Sequence, residues 1–499
     1  MRVRSRAAFA VSLLAGHYLL AAGLAAGLLA AQTFVLITHP SAGLLLTALV
    51  LPALFALAKG MAFLERRGNH EAPGTLVAPD EQPALWDLVR RLAADVGTRP
   101  PDELRIVGAV HAGISEDSRF LGLRVTRRVM FIGAPLLTSL TEKQLIAVLA
   151  HELAHHSPAD TRLTATVVSG RAAVLRTGSP VDDMSWFQRT TVRLFRGCAR
   201  LYLRVSHPIA RRQEAAADCF AASLAGSSAT SSALRELPVI DAAWQLFTQR
   251  HLTVAWELGY LPTTFLDGFA RLRTSPDLHE ALEEIRGQET DPDRGPFDAH
   301  PPLADRIAAV DALDLDAESG WGDRPALDLL ADPMPLLDDA VLTTLVPEAA
   351  TMHRVDWSTL AHIGARARVV HDTERLLNAA ATAMDQPPSL TTVLDALDAG
   401  RLADLGSGTP GNPAAGPRAH REMAKGEVLP ELSALVALAF SDAGLARWEL
   451  DWLGRTTFVT SSRDFDMTGH LDAAVSGSTD GLRGALATSG VAADYRPAR

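Results

Sequence analysis

The chain has 499 residues, is 47% hydrophobic and carries a formal net charge of −11. That length allows more than one packed domain, and the acidic balance argues against a nucleic-acid partner. Its two cysteines, Cys198 and Cys219, are too few for a disulfide framework and suit a reducing compartment; both are expected to be small buried residues.

In chain order, residues 7–38 contain no charge, and after a short "HPS" turn residues 42–58 are again uncharged and apolar. Each approaches or exceeds the roughly 20 residues a helix needs to cross hydrocarbon, and Pro52 is placed to kink the second. A secretory signal would have an apolar run of roughly 7–15 residues, about half of what is present. The reading is therefore a transmembrane helical hairpin, residues 1–66. Arg2, Arg4 and Arg6 precede it, and Arg66 and Arg67 follow it, while the turn between has no basic residue. Both ends, and the catalytic portion downstream, are thus expected on the cytoplasmic side of a cell membrane.

Residues 82–97 read as a helix with Leu85, Leu88 and Leu92 on one face. "DELRIVGAVHAG" and "RRVMFIG" read as short strands bounded by glycine. "TEKQLIAVLAHELAHHSPAD", residues 141–160, opens with Thr141 and Gln144 in a capping-box pattern and closes at Pro158. A four-residue step returns a helical side chain to nearly the same direction. His151 and His155 can therefore address one ion, with Glu152 about a hundred degrees around the helix. There Glu152 can act as general base toward water at a zinc ion. A catalytic zinc usually has three protein ligands and an open position. In "RRQEAAADCFAASLA", residues 211–225, Glu214 can supply the third. Asp218, one turn on, can accept the free N–H of a ligand histidine.

Between these blocks, Arg189, Arg193, Arg196, Arg200 and Arg204 fall on one helical stripe, while Phe187, Leu194, Phe195, Leu201 and Val205 point away. Residues 186–206 either lie on an anionic membrane leaflet or pack their apolar side on the domain. Breaks are expected near "ESGWGDRP", residues 318–325, and at the Gly/Pro-rich "SGTPGNPAAGPR", residues 407–418. "LPELSALVALAF" reads as helical and "RWELDWLGRTTFVTSS" as strand-forming, with Trp448 and Trp452 in a core.

Three blocks together resemble the membrane zinc metallopeptidases that include the HtpX-type proteases and type I CAAX prenyl proteases. They are "LIAVLAHELAHH", "EAAAD" and "HPPLADRI", the last spanning residues 300–307. The resemblance spans about residues 80–312 and implies one Zn2+ per chain held by His151, His155 and Glu214, with Glu152 as general base and acid. It also implies Asp218 behind the ligands, His300 at the cleft stabilising an oxyanion, and Arg306 bracing the site. The plain alternative for the last block is that Pro301 and Pro302 start a helix and Arg306 is solvated. The resemblance further gives "RRVMFIG" a role as an edge strand that pairs with substrate; an ordinary core strand is the alternative. Two departures stand out. "VHAGISE", residues 110–116, lacks the asparagine-alanine pair common in the family, and the hydrophobic spans that HtpX-type proteins carry before the third ligand are missing.

The fold class expected is mainly α (α+β): the transmembrane hairpin (1–66), a zincin-like metallopeptidase domain with a small sheet (70–315), a helical region (320–406) and a small α+β region (418–499) of unknown fold. The function expected is a membrane-anchored zinc endopeptidase acting on proteins or peptides at the cytoplasmic membrane face, in membrane-protein quality control. The alternative is a membrane-tethered scaffold with a structural or vestigial zinc site, its C-terminal region binding an unknown partner.

Overall fold

The charge-free stretches 7–38 and 42–58 lie within α1 (Val3–Thr38) and α2 (Pro40–Ala62), which pack as a hairpin. The computed structural model describes residues 3–62, 72–119, 124–157, 186–288, 301–317, 321–406, 416–452, 456–460 and 467–498. Among these, no helix is long and apolar enough to cross a membrane. The hairpin forms, but the expected crossing is not shown. Large apolar side chains on the hairpin nonetheless face outward, among them Leu19, Phe34, Ile37, Leu44 and Leu45.

Next come β1 (Thr75–Val77), α3 (Pro83–Val96), β2 (Glu103–Val107), β3 (Ala112–Arg119) and β4 (Arg124–Gly133). The strands form one sheet in the order β1-β2-β4-β3, with β2 and β4 parallel and the other pairs antiparallel. Alternation sorts its two faces. Leu104 and Ile106 stand in register with Met130 and Ile132, and all four are buried. The opposite face carries an ionic ladder in which Arg105 and Arg127 both reach Glu103. Leu85, Leu88 and Leu92 of α3 are buried as expected.

"RRVMFIG" is therefore not an edge strand. It lies within β4, flanked by β2 and β3; among the described residues the edges are β1 and β3, and β3 includes most of "VHAGISE".

A short α4 (Ala134–Ser139) leads into α5 (Glu142–Ala154), which packs against α3, β3 and the long α6 (Trp186–Ala225). Gly133, at the join of β4 and α4, has no room for a side chain, since a Cβ would sit 2.1 Å from the Ala109 carbonyl oxygen. α6 also packs on α1 and contains Pro208 in its interior. Of the arginine stripe, Arg200 and Arg204 are exposed while Tyr202 and Leu203 are buried. Leu201, on the side away from the arginines, is 48% exposed. The side chains of residues 186–199, Cys198 included, lie outside the described set. Cys219 is exposed rather than buried, because it falls on the outer side of α6 next to the inward-facing Asp218.

The chain continues through α7 (Ser227–Leu246), β5 (Tyr260–Pro262), α8 (Phe265–Arg273), α9 (Pro276–Gln288), α10 (Leu303–Asp311) and α11 (Pro333–Thr344). It divides into two compact units: Met1–Trp244 with His279–Ala350, and Gln245–Leu278 with Thr351–Arg499. Residues 321–350 thus belong to the first unit. The described part of the expected break, residues 321–325, leads into a strap. Glu142 N–H donates to the Arg324 carbonyl (2.8 Å), Ala326 N–H donates to the Leu140 carbonyl (2.9 Å), and the Arg324 guanidinium pairs with buried Glu142. Residues 318–320, and 407–415 of the second expected linker, lie outside the described residues.

In the second unit β5 pairs in parallel with β6 (His353–Val355). There follow α12 (Trp357–Met384), α13 (Leu390–Asp398), α14 (Leu402–Leu405), α15 (Pro417–Asp442), the hairpin β7 (Ala446–Leu450) and β8 (Thr456–Thr460), and α16 (Thr468–Val475) and α17 (Asp480–Thr488). α12 starts where Asp356 accepts from the Thr359 N–H. Trp448 is buried, whereas Trp452 is half-buried against Trp357, with ring centroids 5.5 Å apart.

Candidate metal centre

The site begins with a cap. The Thr141 hydroxyl accepts from Gln144 N–H (3.3 Å), and Gln144 Oε1 accepts from Thr141 N–H (2.9 Å), so α5 starts at a defined residue. Leu145, Ile146, Leu149 and Leu153 are fully buried and set the helix rotation; each such burial stabilises by roughly 1.5–3 kcal/mol. With start and rotation fixed, His151 and His155 must share a face. α5 ends at Ala154, so His155 stands at its C-terminal boundary.

α6 brings Glu214 and Asp218 to the same place, both buried. His151 Nε2 lies 3.2 Å from His155 Nε2 and 3.6 Å from Glu214 Oε2, and His155 Nε2 lies 3.5 Å from Glu214 Oε1. Tetrahedral ligands about 2.0–2.1 Å from a zinc ion are separated from one another by about 3.4 Å. The observed spacings fit that requirement, and two imidazoles plus a carboxylate are a donor set suited to zinc. Among the described residues, these three form a group able to hold a metal ion.

Behind the ligands stands an ionic chain. His151 Nδ1 is 2.9 Å from Asp218 Oδ1, and Arg306 donates to both Asp218 oxygens at 2.8 and 2.6 Å. This leaves Nε2 of His151 as the nitrogen directed to the ion. Burial opposes protonation of His151, but the Asp218 and Glu214 carboxylates outweigh it and push its pKa up to about 9. Burial likewise opposes ionisation of Asp218, and Arg306 and then His151 more than compensate, so its pKa is lowered. Glu152 is half-buried and close enough for its charge to act on His151 and Arg306.

The structure thus brings together His151, Glu152, His155, Glu214, Asp218 and Arg306. His300 lies outside the described residues. Pro301 and Pro302 do precede a helix, α10, as the plain alternative has it. Arg306 is not solvated, its side chain being only 12% exposed.

One group of residues near the site went unread in the sequence: Glu116 of β3, Arg128 of β4 and His156. His156 Nδ1 is 3.1 Å from Glu116 Oε1, which also accepts from Arg128 at 2.9 and 2.6 Å. The bond from His156 is the largest influence on Glu116 and holds its pKa down to about 2, with burial opposing and Arg128 assisting. The His155-His156 doublet was the one available signal; its partner sits 40 positions upstream.

Comparison with curated proteins and with solved structures finds no match. Residues 79–314, the stretch that carries every residue of this site, match the family model of peptidase family M48, which supports a metallopeptidase and, through that family, a zinc ion at the His-His-Glu group.

Proposed function

We propose that the protein is a membrane-tethered zinc endopeptidase that cleaves extended segments of protein substrates. The observation that carries this reading is the tetrahedral spacing of His151, His155 and Glu214 with a carboxylate, Glu152, adjoining the first ligand. His151, His155 and Glu214 would hold the ion, leaving a coordination position open. Bound there, zinc would supply Lewis-acid polarisation of the scissile carbonyl and acidify water at neutral pH.

The protein groups do the rest. Glu152 accepts the proton of the attacking water at its carboxylate and delivers it to the leaving amine nitrogen. Asp218 keeps the proton of His151 on Nδ1, and Arg306 keeps Asp218 ionised. His300, by the resemblance, stabilises the oxygen of the tetrahedral intermediate. An extended peptide can pair with β3, which has β4 as its one strand neighbour among the described residues, so the substrate would be unfolded or partly extracted protein rather than a folded domain.

Tethering through α1 and α2 is supported by the charge-free runs within them, residues 7–38 and 42–58, and by their outward apolar side chains. The flanking arginines favour a cytoplasmic location for the catalytic unit. Quality control of membrane proteins is the role the resemblance suggests.

The test is Glu152→Gln in the full chain, assayed on casein, with bound zinc measured in parallel. Cleavage is expected to vanish while zinc stays near one per chain. Full activity in this variant would remove the mechanism. Stoichiometric zinc without cleavage by the unaltered chain would favour a scaffold.

A further inference from the structure

The two ligand histidines are supported differently. His151 sits inside α5 and has the Asp218–Arg306 pair behind its ring. His155 sits just past the last regular residue of that helix, where ends loosen readily. The residue after it is held from two directions. Its imidazole Nδ1 lies 3.1 Å from Glu116 Oε1, and its carbonyl accepts from the Thr98 hydroxyl at 2.7 Å. Both arms meet at one guanidinium. Arg128 donates through Nε and Nη2 to Glu116 Oε1, and through Nη1 to Thr98 Oγ1 at 3.1 Å and to the Arg99 carbonyl. Arg128 is itself buried, and its main chain is locked to Asp102: its N–H donates to Asp102 Oδ2 and its carbonyl accepts from Asp102 N–H, each at 2.8 Å. Glu116 and Arg128 are direct cross-strand partners in the β3–β4 register.

We propose that Glu116, Arg128 and His156 form a positioning brace that fixes the end of α5 carrying His155 and couples it to the edge strand β3. Resting on the metallopeptidase reading above, this makes the two halves of the ligand set parallel in design. Each histidine is steadied by a carboxylate–arginine pair, one acting on the ring itself and the other through the next residue. The pairing is charge-assisted and largely withdrawn from water, which gives it directional stiffness that a solvated pair lacks. Because Glu116 is a residue of the edge strand, a peptide added to β3 would abut the strand that positions a metal ligand.

The test compares zinc affinity, by competition with a chromophoric chelator, in the full chain and in His156→Ala, His156→Asn and Glu116→Ala. The alanine variants are expected to bind zinc roughly 10–100-fold more weakly, the range for loss of groups supporting a ligand. His156→Asn, whose amide nitrogen can donate where imidazole Nδ1 does, is expected to stay within roughly threefold of the unaltered chain. Circular dichroism of the zinc-free proteins checks that each is folded. Unchanged affinity in His156→Ala, or an Asn variant as weak as the Ala variant, would overturn the brace. If the alanine variants do not fold, Glu116→Gln decides: about tenfold weaker zinc binding supports the proposal, and unaltered binding overturns it. These readouts need no catalysis, so a zinc-loaded chain that cleaves nothing would sink the peptidase reading alone.

Discussion

Replacing Asp218 by Asn tests the ionic chain behind His151. The substitution keeps the volume and removes one charge from a buried triad in which the side chains of His151, Asp218 and Arg306 are 10%, 7% and 12% exposed. Two guanidinium bonds at 2.8 and 2.6 Å and the 2.9 Å contact to His151 are weakened or lost. Bonds to charged groups contribute about 1.5–3 kcal/mol each, and the carboxylate's own desolvation cost offsets part of that. Stranding a buried Arg306 without its partner should cost about 3–5 kcal/mol in the zinc-free protein. Arg306→Met should cost a similar amount by stranding Asp218. The double variant should then fall short of the sum by about 2–3 kcal/mol, the mark of a direct coupling. Urea unfolding with a chelator present, followed by tryptophan fluorescence, measures all four proteins. Zinc affinity in Asp218→Asn should fall roughly 10–100-fold. A loss below about 1 kcal/mol, with coupling under about 0.5 kcal/mol, would refute the reasoning.

Gly133→Ala should destabilise the first unit by several kcal/mol, on the order of the largest core defects, because the Cβ meets main-chain atoms rather than a movable side chain; a shift in urea midpoint no larger than that of a surface alanine would contradict this. Glu116, with a folded pKa of about 2 against an ordinary 4.5, contributes stability that is fully present above pH 4.5 and is lost as pH falls toward 2. Comparing unfolding of the zinc-free chain with Glu116→Gln at pH 7 and pH 3.5 should show the difference shrink, from an upper value on the order of 3 kcal/mol. A chain ended at residue 315 should fail to unfold cooperatively, since it lacks the Arg324–Ala326 strap and the bonds of Ala331 to Gln82 and of Thr344 to Gly108. A folded, zinc-binding 1–315 fragment would show those contacts to be dispensable.

What the sequence disclosed was local. Thr141 and Gln144 mark the start of α5 because a cap is a three-residue event, and His151/His155 and Glu214/Asp218 follow from helical spacing within single helices. The faces of α3 and α5 are likewise legible in their leucines. Strand order was not, because nothing in "RRVMFIG" records that β3 folds back and covers its far side. Arg324 reads as part of a Gly-rich break; only the structure shows it on the start of α5, 182 positions away in sequence. Glu116 escaped notice for the same reason. Its partners are cross-strand or at a distant helix end, and no short motif encodes such a meeting.

The length of α6 has a mechanical consequence. Glu214 lies 28 residues from the start of that helix, about 42 Å along its axis at 1.5 Å per residue. The same rod touches α1, and Pro208 interrupts its hydrogen-bond ladder six residues before Glu214. The imidazoles ride on a different helix, so any lateral swing of the rod alters the aperture between carboxylate and imidazoles. If the seating of α1 biases that swing, zinc affinity and α1 seating shift each other by one and the same factor. Under the tethering proposed above, chelator competition on the full chain in thin and thick bilayers would measure that link, and equal affinity in both would show the rod to be decoupled.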